Sequence, residues 1–218
     1  GFFKKKINII ILSILALLIA VTYIYPIFVE YDKFGNIMDG TTKHLSPSAA
    51  IERLGFSIHW ILGTGAAGQS TFDAVWFGSR ISISLAFICA AINLTVGVIV
   101  GSIWGFSKKV DVFMQEIYNI LANIPYILLI SVMIMLLKAG FWTMVLALTI
   151  TGWLGIAYFI RTQVVIIRDR EYNLASRCLG TSTLKIAMKN ILPFMTSVIV
   201  TLAATEIPSY ISYVVFFA

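Results

Sequence analysis

The residues best placed to do specific work lie between Arg168 and Asn190. Glu171-Tyr172 precede Leu174-Ala175-Ser176-Arg177, and Leu179-Gly180 follow. Leu174, Ala175, Cys178 and Leu179 fall together at helical spacing, with Glu171 and Arg177 elsewhere on the cylinder. Gly180 suits a helix stop or sharp turn. Ser182 can cap a second helix, on which Leu184 and Met188 share a face. Two short amphipathic helices meeting at a glycine can lie on a membrane surface or dock into a partner's groove, and the residue types leave both open. That is recognition chemistry. For bond-making chemistry there is no Gly-x-x-x-x-Gly-Lys-Ser/Thr loop for ATP, no His-Glu-x-x-His and no Gly-x-Ser-x-Gly. Catalytic, cofactor-binding and metal residues are therefore each expected to be none.

A second set of polar residues interrupts apolar runs. Glu206 would be expensive facing lipid, so it should face protein or a wet cavity, either lining a path across the membrane or pairing with a neighbouring helix. Asn123, with Glu116, Asn119 and Pro125 nearby, reads first as a source of interhelical hydrogen bonds, with a path-lining role as the alternative. Arg161 near a span end can snorkel to lipid phosphates. His44 and His59 stand alone and read as solvated or packed histidines. Cys89 and Cys178 have no metal spacing, and Cys89 reads as a small packing residue. Gly97, Gly101 and Gly105 recur every four residues and permit a close helix crossing, a spacing that chance also supplies.

The elements that hold these residues must be membrane helices. Of the 218 residues, 59% are hydrophobic and 12% charged, against about a quarter charged in soluble domains. A bilayer core of about 30 Å takes about 20 apolar residues in helix. Ile7 to Val29, Ile81 to Phe106, Val112 to Leu137 and Phe141 to Ile167 meet that length, and a fifth run starts near Ile191, interrupted by Glu206 and Pro208. Ile7 to Val29 could be a signal peptide after Lys4, Lys5 and Lys6. Its length, and Tyr23, Tyr25 and Pro26 where small residues would be needed, favour an uncleaved span. The expected class is an all-α polytopic transmembrane bundle with five visible spans. Residues 1–29 form the N-terminus and first span, 30–79 an external loop with turns at Gly35, Gly40 and Pro47, and 80–218 the helical core.

The net charge of +6 is spread between apolar runs. Lys108, Lys109, Arg168, Arg170, Arg177, Lys185 and Lys189 fall on the side of the N-terminal lysines, which orients that side inward. Trp60, Trp76, Trp104, Trp142 and Trp153 fall near span ends, as an interfacial belt would. A basic nucleic-acid face would need clustering and interleaved aromatics, so no nucleic-acid partner is expected.

Glu171 to Pro193 resembles the signature loop of permease subunits of binding-protein-dependent ABC importers. The interval from Gly180 to Leu192-Pro193 matches, while Leu174-Ala175-Ser176 replaces the usual glutamate-containing triplet. The Glu171-Tyr172 pair resembles the oligopeptide, dipeptide and nickel branch. So do Leu62 to Ser70, Phe77 to Ser82, and Asp111, Pro125, Trp153, Ala157 and Arg161, although Gly65, Gln69 and Ser70 stand where acids and an arginine are usual. The resemblance covers about Leu62 to Tyr213 and is strongest for the subunit with a long first external loop. It implies a type I-like importer fold with a sixth helix, a second homologous permease, two ATP-binding subunits that hold ATP and Mg, an extracellular substrate-binding lipoprotein, and membrane lipid as surroundings. Glu171 to Gly180, within a cytoplasmic coupling loop at 168–190, would contact an ATP-binding subunit. Gly rather than Met at position 1, and Val214 to Ala218 departing from the branch after Tyr213, lead to the expectation of a longer natural chain. Oligopeptides are the expected cargo, with nickel or small glycans as alternatives. An ion-gradient-driven secondary transporter is the competing class; it predicts paired intramembrane charges, to which only Glu206 comes close. An intramembrane enzyme would need polar partners on facing helices, and none is evident.

Overall fold

A computed structural model describes residues 6–29 and 42–217. Lys4, Lys5, Gly35 and Gly40 lie outside the described residues, as do the side chains of Leu184 and Met188. The contacts group into two compact units, Gly1–Ile83 and Ser84–Ala218.

In the first unit, α1 (Lys6–Phe28) is apolar on all sides and buries only Thr22, whose hydroxyl donates to the Leu18 carbonyl at 2.8 Å. Its 23 residues extend about 35 Å at 1.5 Å per residue, enough to cross the hydrocarbon core. A helix this apolar and this exposed is stable only where the solvent is lipid. The external segment contains α2 (Pro47–Leu54), started by the Ser46 cap with Pro47 in the first turn. A 3₁₀ turn follows at Ile58–Trp60, and a single antiparallel bridge joins Thr64 to Ser70. Leu45 donates its N–H to Thr64 Oγ1 and His44 donates its own to the Gly65 carbonyl, so the segment folds back on itself. The long helix α3 (Thr71–Phe106) begins in this unit and continues into the next.

The second unit adds α4 (Lys108–Ala122), α5 (Tyr126–Leu137), α6 (Phe141–Thr149), α7 (Trp153–Arg168), α8 (Glu171–Cys178), α9 (Thr183–Ile186), a π-helical turn at Ala187–Ile191 and α10 (Leu192–Phe217). Among the described residues four helical stretches are long and apolar enough to cross a membrane: Lys6–Phe28, Thr71–Phe106, Phe141–Arg168 and Pro193–Phe217. The expected third span, Val112 to Leu137, is not one straight helix. It is the pair α4 and α5, bent by 74°, and becomes the fifth span if that pair is counted as one. Pro125 causes the break, because it lacks an N–H for the ladder and disfavours helical backbone at the residue before it. The run from Phe141 pauses at residues 150–152. There the Leu148 carbonyl, whose helical partner would be the Gly152 N–H, accepts instead from Asn93 Nδ2 at 3.0 Å and Tyr126 Oη at 2.7 Å.

Two apolar cores hold this unit. One gathers Leu85, Ala86, Cys89, Ile130, Val145, Leu148, Tyr210 and Val214. The other gathers Ile156, Ile160, Val164, Ile186, Ile191 and Met195. The glycine repeat is a real seam. A Cβ at Gly97 would meet Ile156, one at Gly101 the Ala157 carbonyl and Ile160, and one at Gly105 Val164. The absence of side chains on one face of α3 lets α7 approach to backbone contact. Trp104 is fully buried rather than interfacial, and its indole donates to Asp111 Oδ1 at 2.8 Å.

Candidate functional site

Glu171 and Tyr172 open α8, where the acid complements the helix N-terminus. Ser176 donates its hydroxyl back to the Tyr172 carbonyl at 2.8 Å, four residues earlier. The helix stops in a Schellman arrangement: Thr181 N–H donates to the Ser176 carbonyl and Gly180 N–H to that of Arg177, with Gly180 at φ +78°. The glycine expected to end the helix therefore does so, in the left-handed region that side chains avoid.

The face that anchors α8 is not its apolar one. Asn173 is fully buried, donating Nδ2 to the Ile167 carbonyl at 2.8 Å and accepting from Asn190 Nδ2 at 3.0 Å. This pin ties α8 to the end of α7 and to the π-helical turn. The sequence reading missed it; an asparagine on the side opposite Leu174 and Leu179 was the available signal. Tyr172, Leu174 and Leu179 point outward, Leu179 with 86% of its surface exposed. Glu171, Ala175 and Gly180 are exposed too, and Ser176 and Arg177 half-buried.

Beside this helix runs a groove of about 490 Å³, lined by Phe106, Lys108, Arg168, Asp169, Leu174 and Arg177. Arg168 donates Nη1 to the Gly105 carbonyl at 2.6 Å and Nε to Asp169 Oδ1 at 3.0 Å. The guanidinium hydrogen bond holds the Asp169 carboxyl below the usual carboxylate range, with Arg177 and Lys108 adding weaker pull.

The other predicted residues separate. Glu206, on α10, lines a cleft of about 320 Å³ together with Tyr118, Tyr126, Gly155, Tyr210 and Tyr213. Asn123 is exposed at the α4–α5 break, where its side chain donates to the Asn119 carbonyl at 2.5 Å; its neighbours Ala122 and Ile124 line the cleft and it does not. Arg161 is not snorkelling: it grips Asp111 through two bonds of 2.8 Å. His59 is not alone either. In the first unit its Nδ1 lies 2.8 Å from Asp73 Oδ1, and the Tyr25 hydroxyl donates to that same oxygen. Nothing in the spacing of Tyr25, His59 and Asp73 announced this cluster, because folding of the external segment creates it. Among the described residues no group of three or more His, Cys, Asp or Glu side chains could hold a metal ion.

Apolar spans, a charged loop on a capped helix and a polar cleft among helices define a multi-pass membrane permease. The family model described as binding-protein-dependent transport system inner membrane component matches residues 93–218, and the chain belongs to that family. It is 46% identical over 217 residues to the oligopeptide transport system permease protein AmiD of Streptococcus pneumoniae, covering 99% of this chain and 68% of that one. It is 35% identical to the dipeptide transport system permease protein DppC of Bacillus subtilis (78% and 51%), and 34% identical to the oligopeptide transport system permease protein OppC of the same organism (94% and 64%). The chain thus spans between about half and two thirds of these relatives' lengths.

Proposed function

We propose that the chain forms one half of the path by which an ATP-driven importer passes short peptides across the cell membrane, and that α8 couples this path to an ATPase. The outward face of α8 carries the reading: Tyr172, Leu174 and Leu179 are exposed on a helix whose opposite side is pinned through Asn173. A rigid helix with an apolar face and charged flanks is a ready insert for a groove on a soluble partner. The cargo follows from the names of the oligopeptide and dipeptide relatives. Nickel is less favoured, since the nickel transport system permease protein NikC of Escherichia coli is 26% identical.

On this reading the remaining parts are a second homologous permease, two ATP-binding subunits holding ATP and Mg, and an extracellular substrate-binding lipoprotein. The N-terminus lies inside, and the loop at 168–190 faces the cytoplasm. Residues 1–29, 30–79 and 80–218 serve as first span, external loop and permease core. Closure of the ATPase pair moves α8, and the helices rock between two packings that open the path to one side at a time.

The test is Leu179→Glu in the assembled importer. Leu179 buries almost nothing, so the chain should fold as before, yet ATP-binding subunits should be lost from the detergent-purified assembly and peptide uptake should stop. Normal recovery of ATPase and normal uptake would refute coupling through this helix.

A further inference from the structure

The cleft around Glu206 has a composition that a general passage would not need. Among the described residues that line it, Glu206 is the one charged group, and Tyr118, Tyr126, Tyr210 and Tyr213 surround it. A carboxylate so far into an apolar helix needs a countercharge or a polar partner. The wall beside it is fixed by hydrogen bonds. Asn93 is fully buried and donates Nδ2 both to the Leu148 carbonyl at 3.0 Å and to Tyr210 Oη at 2.6 Å. Tyr210, held by Asn93, stands one helical turn from Glu206 on α10 and lines the same cleft. The rings are braced as well: Tyr126 meets Tyr213 edge to face at 5.1 Å, and Tyr118 stacks on Tyr158 at 4.3 Å. Among the described residues no cation lines the cleft, which leaves a countercharge to a group from outside this chain.

We propose that Glu206 and the tyrosines around it form a subsite for an organic ammonium, specifically the protonated amino terminus of the passing peptide. This rests on the reading of the chain as a peptide permease. A carboxylate beside aromatic faces is the arrangement that attracts an ammonium group, through its charge and the ring quadrupoles together. The choice of terminus follows from generality. Peptides differ in their side chains but share the α-ammonium, the carboxyl terminus and the backbone, and of these shared groups only the α-ammonium is a cation that a carboxylate attracts. The cleft volume, at the lower end of the range for small-molecule sites, admits one end of a peptide rather than its length.

The experiment uses the complete importer in proteoliposomes with its binding protein. Two forms of a short peptide lacking lysine and arginine are compared, one with a free and one with an acetylated amino terminus, each supplied at equal occupancy of the binding protein. For the unsubstituted chain, ATP-driven uptake of the free form should exceed that of the acetylated form by about tenfold, the scale of a hydrogen-bonded charge pair. Glu206→Gln keeps shape and should erase that preference by lowering uptake of the free form alone. A second measurement places a photoreactive group at either end of the peptide. Adducts on α10 should arise from the amino-terminal probe and be lost in Glu206→Gln. Equal loss of both peptide forms, or adducts from the carboxyl-terminal probe, would overturn the subsite and make Glu206 a helix-pairing residue. Absence of ATP-driven uptake by the unsubstituted importer would instead overturn the peptide-permease reading, and the subsite with it.

Discussion

Arg161 holds Asp111 in a parallel fork, Nε to Oδ1 and Nη2 to Oδ2, each at 2.8 Å. The pair joins the first turn of α4 to the middle of α7, and Trp104 closes it by donating to the same Asp111 Oδ1. Both charges are about three-quarters buried, at 25% and 21% side-chain exposure, so water screens them weakly.

Asp111→Asn should lower the unfolding free energy by about 1–3 kcal/mol, the range for losing a charged hydrogen-bond partner in a partly buried place. Arg161→Lys should also destabilise, because an ammonium cannot reproduce the planar fork. Thermal unfolding in detergent of both single variants and the double variant checks this. A coupling energy near zero would contradict the geometry.

Gly101→Leu should separate α3 from α7. Even a Cβ at this position would collide with the Ala157 backbone carbonyl, which cannot rotate away. A loss of about 1–3 kcal/mol is expected from overpacking. Gly78→Ala in the same helix has no atom within 4 Å of the new methyl and should stabilise by up to about 1 kcal/mol through helix propensity. Melting temperatures of the two variants should move in opposite directions.

Asp73 accepts from Tyr25 and pairs with His59, so Asp73→Asn strikes both contacts at once. Tyr25→Phe removes one. Limited proteolysis between residues 42 and 70 should accelerate in both variants, and more in Asp73→Asn. Unchanged cleavage would show that the hydrogen bonds around Thr64 hold the external segment by themselves.

Acid should loosen the loop around Asp169. Its folded-state pKa lies below the ordinary value, so the Arg168 pairing contributes above the ordinary carboxylate pKa of about 3.9 and is lost as pH falls through the lower, folded value. Hydrogen exchange at residues 169–173 should therefore be flat from neutral pH down to about 5, after correction for intrinsic rates, and the protection should fall only in stronger acid. Asp169→Asn should show the loosened pattern at all pH values.

Much of this molecule is legible in one dimension. Lipid requires every backbone polar group to bond within its own helix, so long apolar runs can become little else, and α1 and α10 follow their hydropathy closely. Helix α3 starts at Thr71, ahead of the apolar run expected from Ile81 and inside the segment expected to be loop. Gly180 ends α8 for an equally local reason, since only a residue without a Cβ enters the left-handed region without strain. The bend at Pro125 was also written in the chain, though an apolar count from Val112 to Leu137 reads across it. Partnerships were not legible. Arg161 and Asp111 are 50 positions apart, Asn93 and Tyr210 are 117 apart, and Tyr25 meets Asp73 over 48. The glycine repeat on α3 announces a close approach without saying to what; only the fold selects Ile156, Ala157 and Val164. Composition and periodicity determine which segments are helices and which solvent surrounds them, because those are properties of neighbouring residues. Which polar groups are satisfied, and which helix face remains free, depends on how the helices cross, and that only the tertiary structure decides.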